Sequence, residues 1–299
     1  MNKKKMFKLY SGDGGGCFGA SPAYLNMAAD RIQEFDGYIG TSIHAALVGA
    51  YALGVDAGVV NTFMSEGMGK IFHRSWASCL WPCGPKYPDK ELNKAIQNLV
   101  GKDTKLKDVS KPLFITAMNF KHDWPKVFDS LSEEDGELNL WEVIRCSVAA
   151  NTYFPTWCPY RNGRTDFFTD GGTWANTPSL AGAISVFDKI KTKLPNISVF
   201  SVGCGVSPDP NRNQKKVDGW GAVRMGLSTL NSMFDGGNER AMTHMLYKLI
   251  DGRLTRFNEV DLDPKWAMDD PAIIPELWKR SAAVFDNFKD KLDTFLDVN

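Results

Sequence analysis

The sequence predicts an α/β protein built on a mostly parallel central sheet covered by helices on both faces. Three observations predict it. Residues 112–118 are apolar nearly throughout and 197–203 form a second run of the same kind, the pattern of strands buried on both faces. These runs alternate with segments of helical pattern, which argues for parallel βαβ units. The strand-like runs also end in turns rich in small residues, and open parallel sheets bind ligands at the carboxyl ends of their strands.

The elements follow in order. Phe7-Lys8-Leu9-Tyr10 is a short strand, and a glycine loop leads from it to a helix over 22–33, with Ser21 as N-cap and Pro22 at the first position. A second strand ends in Tyr38-Ile39-Gly40, and residues 45–53 read as a helix. Residues 56–100 are helical in pattern, broken by Trp81-Pro82-Cys83-Gly84-Pro85, and are expected to form a cover beside the sheet. After the strand at 112–118, a helix over 140–150 exits through Thr152-Tyr153-Phe154-Pro155, whose proline forbids continuation. Phe167-Phe168-Thr169 is a short strand ending at Asp170-Gly171-Gly172, followed by a helix over 178–190 and the strand at 197–203, closed by Cys204-Gly205. The remainder is mainly helical, with a strand near 254–260 and a final helix over 271–296, expected to pack on the same core so that 1–299 form a single domain.

Composition excludes several classes. At 43% hydrophobic and 23% charged, the 299 residues fit an ordinary globular protein. Lysine plus arginine equals aspartate plus glutamate at 35 each, so no global field draws the chain to nucleic acid or an acidic membrane. Lys3-Lys4-Lys5 reads as a solvated terminus, and the apolar stretch after it is too short for a signal peptide or a spanning helix. The six cysteines lack the spacing of a disulfide framework, which points to reduced thiols and a cytosolic setting. Cys79 and Cys83 lack a second ligand pair and read as core filling. Glu133-Glu134-Asp135 lacks the ligand spacing of a calcium loop and reads as a solvated turn. Neither metal nor cofactor is expected.

Chemistry concentrates in the first quarter. Asp13-Gly14-Gly15-Gly16-Cys17-Phe18-Gly19 follows the first strand, and its glycines let successive amides face an anion without steric cost. One βα unit later, Gly40-Thr41-Ser42-Ile43-His44 places a serine between a strand and a helix, where a tight elbow needs small neighbours and pushes the hydroxyl to the carboxyl edge of the sheet. An amide-lined loop beside an elbow serine suits acyl transfer.

Four segments then agree, in order, with one family, and the matching segments span 7–205. The glycine loop resembles the Asp-Gly-Gly-Gly-x-Arg-Gly segment of the patatin-like phospholipases, and Gly40-Thr41-Ser42-Ile43-His44 resembles their Gly-Thr-Ser-x-Gly motif. Asp170-Gly171-Gly172, running on to Ala175-Asn176-Thr177-Pro178 and preceded by the small-residue stretch 147–155, is similar to their Asp-Gly-Gly segment, and Ser201-Val202-Gly203-Cys204-Gly205 to a later strand end. The resemblance implies a three-layer α/β/α fold and a Ser-Asp acyl hydrolase. Ser42 would be the nucleophile and Asp170 the general base. The amides of Gly14, Gly15, Gly16 and Cys17 would form the oxyanion hole, with Gly40, His44, Gly171 and Gly172 supporting the motifs. Two positions depart from the pattern: Phe18 stands where the family has arginine, and His44 where the elbow has glycine. His44 either packs beside the elbow or assists Ser42.

Three other readings remain open at this point. Ser42, Asp170 and His244 follow the chain order of an α/β-hydrolase triad, although that class places its nucleophile after several strands. Gly14-x-Gly16-x-x-Gly19 with Asp36 fits the spacing of a dinucleotide fingerprint. A catalytically silent lipid-binding protein on the same fold would accommodate Phe18 and His44. By resemblance the partner is a phospholipid or other fatty-acyl ester; the balanced charge implies transient peripheral membrane contact and no nucleic acid, and the oligomeric state is left open. Phe72, Trp76, Leu80 and Trp81 are candidates either for packing on the sheet or for meeting the acyl chain or membrane.

Overall fold

A computed structural model describes residues 6–73, 84–160, 163–207, 221 and 237–297, apart from the side chains of 237 and 238. Lys3-Lys4-Lys5, Trp76, Cys79, Leu80, Trp81 and Cys83 lie outside them.

Among the described residues, seven strands form one sheet: β1 (Phe7–Gly12), β2 (Gly37–Gly40), β3 (Leu113–Asn119), β4 (Trp124–Asp129), β5 (Phe168–Asp170), β6 (Ile197–Val202) and β7 (Leu254–Phe257). The order is β4-β3-β2-β1-β6-β7, with β5 paired to β3. β2, β1, β6 and β7 run parallel to one another and to β3, whereas β4 and β5 are antiparallel to β3. β2 and β6 are buried throughout, as their apolar runs require.

Helices cover both faces. α1 (Ala20–Ala29), α2 (Ile43–Ala52) and the later α7 (Leu140–Ser147) pack with Tyr10, Tyr38 and Ile115 on one side. α9 (Ser179–Lys189) and α10 (Gly237–Leu249) pack with Leu9, Ile39, Phe114 and Val199 on the other. Period-two alternation sends Leu9 and Tyr10 to opposite faces, so β1 contributes to both cores. The result is a three-layer α/β/α arrangement. All ten residues of α2 are buried, which its almost wholly apolar sequence permits.

Between α2 and β3 lie α3 (Ala57–Thr62), a π-helical turn at Phe63–Gly67, α4 (Met68–Ile71) and α5 (Lys90–Val100). The cover expected here sits largely on other helices: α5 turns Leu92, Ile96 and Val100 inward and packs on α2 and α7. Phe72 is half-buried, its ring 5.3 Å from Tyr87 and 5.9 Å from Phe154, so it belongs to packing. α6 (Glu133–Gly136) replaces the expected solvated turn, because Ser132 caps it and buried Asp135 binds Lys126 at 2.7 Å.

Other boundaries also shift. Ser21 is not an N-cap: the 3-10 turn Gly16–Gly19 runs directly into α1, and the Ser21 hydroxyl instead accepts from Ser281 at 2.8 Å. α1 stops at Ala29 because Asp30 turns left-handed, with φ 50°. β4 escapes sequence reading because Pro125 and its exposed neighbours lack the buried pattern, which an edge strand tolerates. The C-terminal helix is two, α11 (Ile274–Ala283) and α12 (Phe285–Asp297), separated at Val284; the short α8 (Gly172–Ala175) precedes α9.

Candidate active site

Strand register builds the centre of the site. β2 leaves β3 after Gly40 pairs with Ile115, and β5 joins the same strand where Asp170 pairs with Ala117. The short parallel strand and the antiparallel one therefore meet head to head along β3, with Thr116 between them. Asp170, the last residue of β5, and Ser42, two residues beyond β2, face one another although they are 128 positions apart, and Ser42 Oγ donates to Asp170 Oδ2 at 2.6 Å.

Ser42 is held in an uncommon conformation. Its φ of 54° and ψ of −126° are strained for a residue with a Cβ, at a cost of about 1–3 kcal/mol. Neighbouring bonds enforce it: Ser42 N–H donates to Ser147 Oγ at 2.9 Å, and Thr41 Oγ1 lies 2.6 Å from both Thr116 Oγ1 and Ala175 O. Gly40 is small of necessity, because a Cβ there would stand 2.6 Å from His44 O. A Cβ on Gly171 would similarly fall 2.5 Å from Thr116 O.

Asp170 is 4% exposed. Burial pushes its carboxyl up to about 6, against the opposing pulls of the Ser42 hydroxyl and the Gly172 amide, which donates to Oδ1 at 2.7 Å. A carboxylate so tuned can take a proton from a bonded hydroxyl near neutral pH and return it.

The glycine loop lies beside this pair; a Cβ on Gly14 would be 3.2 Å from that of Ser42. Its amides are not equivalent. Gly14 N–H donates to Asn176 O at 3.0 Å and Cys17 N–H to Met268 O at 2.7 Å. Both are thereby spent, which corrects the expectation that all four amides face an oxyanion. Gly15 and Gly16 are half-exposed, and among the described residues their amides have no hydrogen-bond partner. They are the two loop amides left free to donate.

His44 is fully buried and points away from Ser42, with Nδ1 bonded to Asp13 O. Burial lowers its pKa to about 4, so the ring is neutral at pH 7. The ring packs beneath Gly12 and takes no part in the serine's bonding. Phe18 is half-buried against the core, and its amide bonds Gly15 O at 3.1 Å, so loss of the arginine leaves the backbone turn intact. His244 is exposed on α10, while both Asp170 oxygens are bonded elsewhere. The triad is not assembled. Asp36 accepts from Lys8 N–H at 2.9 Å, at the start of β1 and hence at the edge opposite the glycine loop, so the dinucleotide spacing has no matching geometry.

Ser147 carries no mark in the sequence beyond its place in a small-residue stretch. It bridges the two halves: its hydroxyl accepts from Ser42 N–H and its carbonyl from Gly171 N–H at 3.3 Å. Among the described residues, no group of three or more His, Cys, Asp or Glu is placed to hold a metal ion, and no helix is long and apolar enough to cross a membrane.

The chain is similar to several known proteins. A cGAMP-activated phospholipase of Escherichia coli (strain TW11681) is 30% identical over 210 residues, 63% of this chain and 58% of that protein. A protein of the same description from Vibrio cholerae serotype O1 is 28% identical over 226 residues, 67% of this chain and 63% of that one. The chain thus spans less than two thirds of the length of either relative. The crystal structure of VipD from Legionella pneumophila superposes over 95% of this chain and 67% of that one, with 12% identity and a TM-score of 0.48. The family model for patatin-like phospholipases matches residues 11–181, more than half of the 299 residues and the stretch that holds the glycine loop, Ser42 and Asp170. The chain belongs to the patatin-like phospholipase family.

Proposed function

We propose that this chain is a serine acyl hydrolase that cleaves fatty-acyl esters of phospholipid type through Ser42 and Asp170. The observation that carries it is the 2.6 Å bond from Ser42 Oγ to a buried carboxylate whose pKa is raised to about 6. Ser42 Oγ attacks the ester carbonyl while its proton passes to Asp170 Oδ2. The amides of Gly15 and Gly16 stabilise the tetrahedral oxyanion, a contribution worth about a hundredfold or more per donor. Collapse breaks the ester C–O bond, and the leaving alkoxide takes the proton from Asp170. Water then gives its proton to Asp170 and attacks acyl-Ser42, and collapse returns the proton to Ser42 with release of the fatty acid. Gly171 and Gly172 keep the Asp170 turn close to β3, and Gly40 keeps the elbow tight.

The described residues act in this reading as one domain, since β7 extends the same sheet through β6. The substrate resides in a bilayer, so contact with the membrane is transient and peripheral. The relatives' description adds activation by cGAMP as a condition to include in assays.

The test is mass spectrometry of products from a defined phospholipid panel, with and without cGAMP, alongside labelling by a fluorophosphonate probe. Free fatty acid and a lysophospholipid are expected from the wild type, with loss of both turnover and label in Ser42→Ala. A wild type that binds vesicles but neither labels nor turns over would instead mark a silent lipid-binding protein.

A further inference from the structure

The glycine loop is fastened from a part of the chain outside the matched motifs. Asp13, the residue before Gly14, is 4% exposed, and its carboxylate is gripped by Arg256 of β7. Arg256 Nη1 donates to Oδ1 at 3.0 Å and Nη2 to Oδ2, while Thr177 Oγ1 donates to Oδ2 at 2.8 Å. The guanidinium is fixed in turn: Nη1 donates to Ser201 Oγ at 2.8 Å, and Nε and Nη2 to Glu239 Oε1 at 3.2 and 2.6 Å. Burial opposes the charge on Arg256, yet Asp13 and Glu239 together raise its pKa and keep it protonated.

A forked guanidinium on a carboxylate fixes the plane of that carboxylate as well as its position, which a lysine point charge does not. The Asp13 main chain is tied down too, through N–H to Val202 O at 3.0 Å and C=O to His44 Nδ1. The direction of the Gly15 and Gly16 amides is therefore set two and three residues beyond a clamped point. In this chain the loop has Phe18 where the motif it resembles has arginine, and the guanidinium that reaches the loop comes from β7.

We infer that Arg256 is a positioning residue for the oxyanion hole, acting through Asp13, with Glu239 of α10 behind it. The inference rests on the serine hydrolase reading, and it predicts a split. Donors that stabilise only the transition state affect kcat and leave ground-state binding alone.

The experiment uses the full chain with p-nitrophenyl butyrate, a soluble ester, and hydrogen-exchange mass spectrometry. Arg256→Met is expected to lower kcat by about 10²–10³-fold with KM within about twofold, the range of a lost oxyanion donor. Arg256→Lys should recover part of that loss, and Glu239→Gln should lower kcat by a few fold. Hydrogen exchange should quicken at the amides of Asp13, Gly14 and Cys17 and stay unchanged over the Ser42 elbow. Wild-type kcat in the folded variants overturns the inference, as does a loss of kcat matched by an equal rise in KM. If Arg256→Met does not fold, unchanged kcat in both Arg256→Lys and Glu239→Gln overturns it. A wild type that neither turns over nor labels at Ser42 defeats the hydrolase reading. Exchange at Asp13, Gly14 and Cys17 then decides the clamp on its own, and protection retained in the folded variants overturns it.

Discussion

Ser42 and Asp170 meet because two short strands end against each other on β3, whereas the glycine loop beside them is held in part from the C-terminal third, by the Arg256 side chain and the Met268 carbonyl. The first arrangement lies within residues 11–181, where the family model matches. The second depends on Arg256 and on the carbonyl of Met268, both outside that range. The Ser42–Asp170 pair is thus set by backbone register, which a few small residues secure. The glycine loop is held by long-range contacts, from the Arg256 side chain and from the carbonyls of Asn176 and Met268.

Breaking the register-built half should have the largest effect. Asp170→Asn keeps the shape but removes the proton acceptor, and kcat is expected to fall by about 10⁴-fold, the scale of losing a triad carboxylate. The same variant should be more stable. The folded-state pKa of about 6 lies above the usual 3.8, so the stability this group supplies is complete below the lower value and lost as pH rises through the upper. At pH 7 the buried charge costs up to about 3 kcal/mol. Calorimetry of Asp170→Asn should therefore show Tm raised by roughly 2–6 °C at pH 7, with the gain shrinking towards pH 4.

Catalysis takes the opposite sign. Asp170 must be ionised to accept the Ser42 proton, so kcat/KM should fall about tenfold per pH unit below the acid limb. A pH–rate profile with p-nitrophenyl butyrate should place that limb near 6 in the free enzyme.

A smaller loss is expected where the bracing is indirect. Ser147→Ala removes the acceptor for Ser42 N–H, a bond worth about 1–2 kcal/mol, and should lower kcat by roughly tenfold while the fluorophosphonate label is retained. The smallest effect belongs to His244. His244→Ala should leave turnover within about twofold of wild type, because the residue is exposed and meets neither Ser42 nor Asp170; loss of turnover would restore the triad.

Legibility follows the same division. The buried strands, the glycine loop and the elbow around Ser42 can be read from residue types at short spacing, since local sterics demand apolar runs and glycine there, whereas Asp170 stands out only through the resemblance of its motif to the family's. β4 was hidden by Pro125 on an exposed edge, and the break at Val284 by an amphipathic pattern that continues on both sides of it. Gly14 and Cys17 could not be told from Gly15 and Gly16. Their amides differ only in what Asn176 O and Met268 O take from them, and those partners lie more than 150 residues away.

Neighbouring residues alone fixed the layer architecture, because burial pattern and backbone permissiveness are local properties, and the resemblance of the motifs singled out Ser42 and Asp170. It took the assembled fold to set β5 antiparallel and end to end with β2, to turn His44 to the loop backbone and away from Ser42, and, among the described residues, to leave the Gly15 and Gly16 amides without the partners that Gly14 and Cys17 have. Those outcomes are set by which groups compete for each buried hydrogen bond. That competition exists only once distant segments have come together.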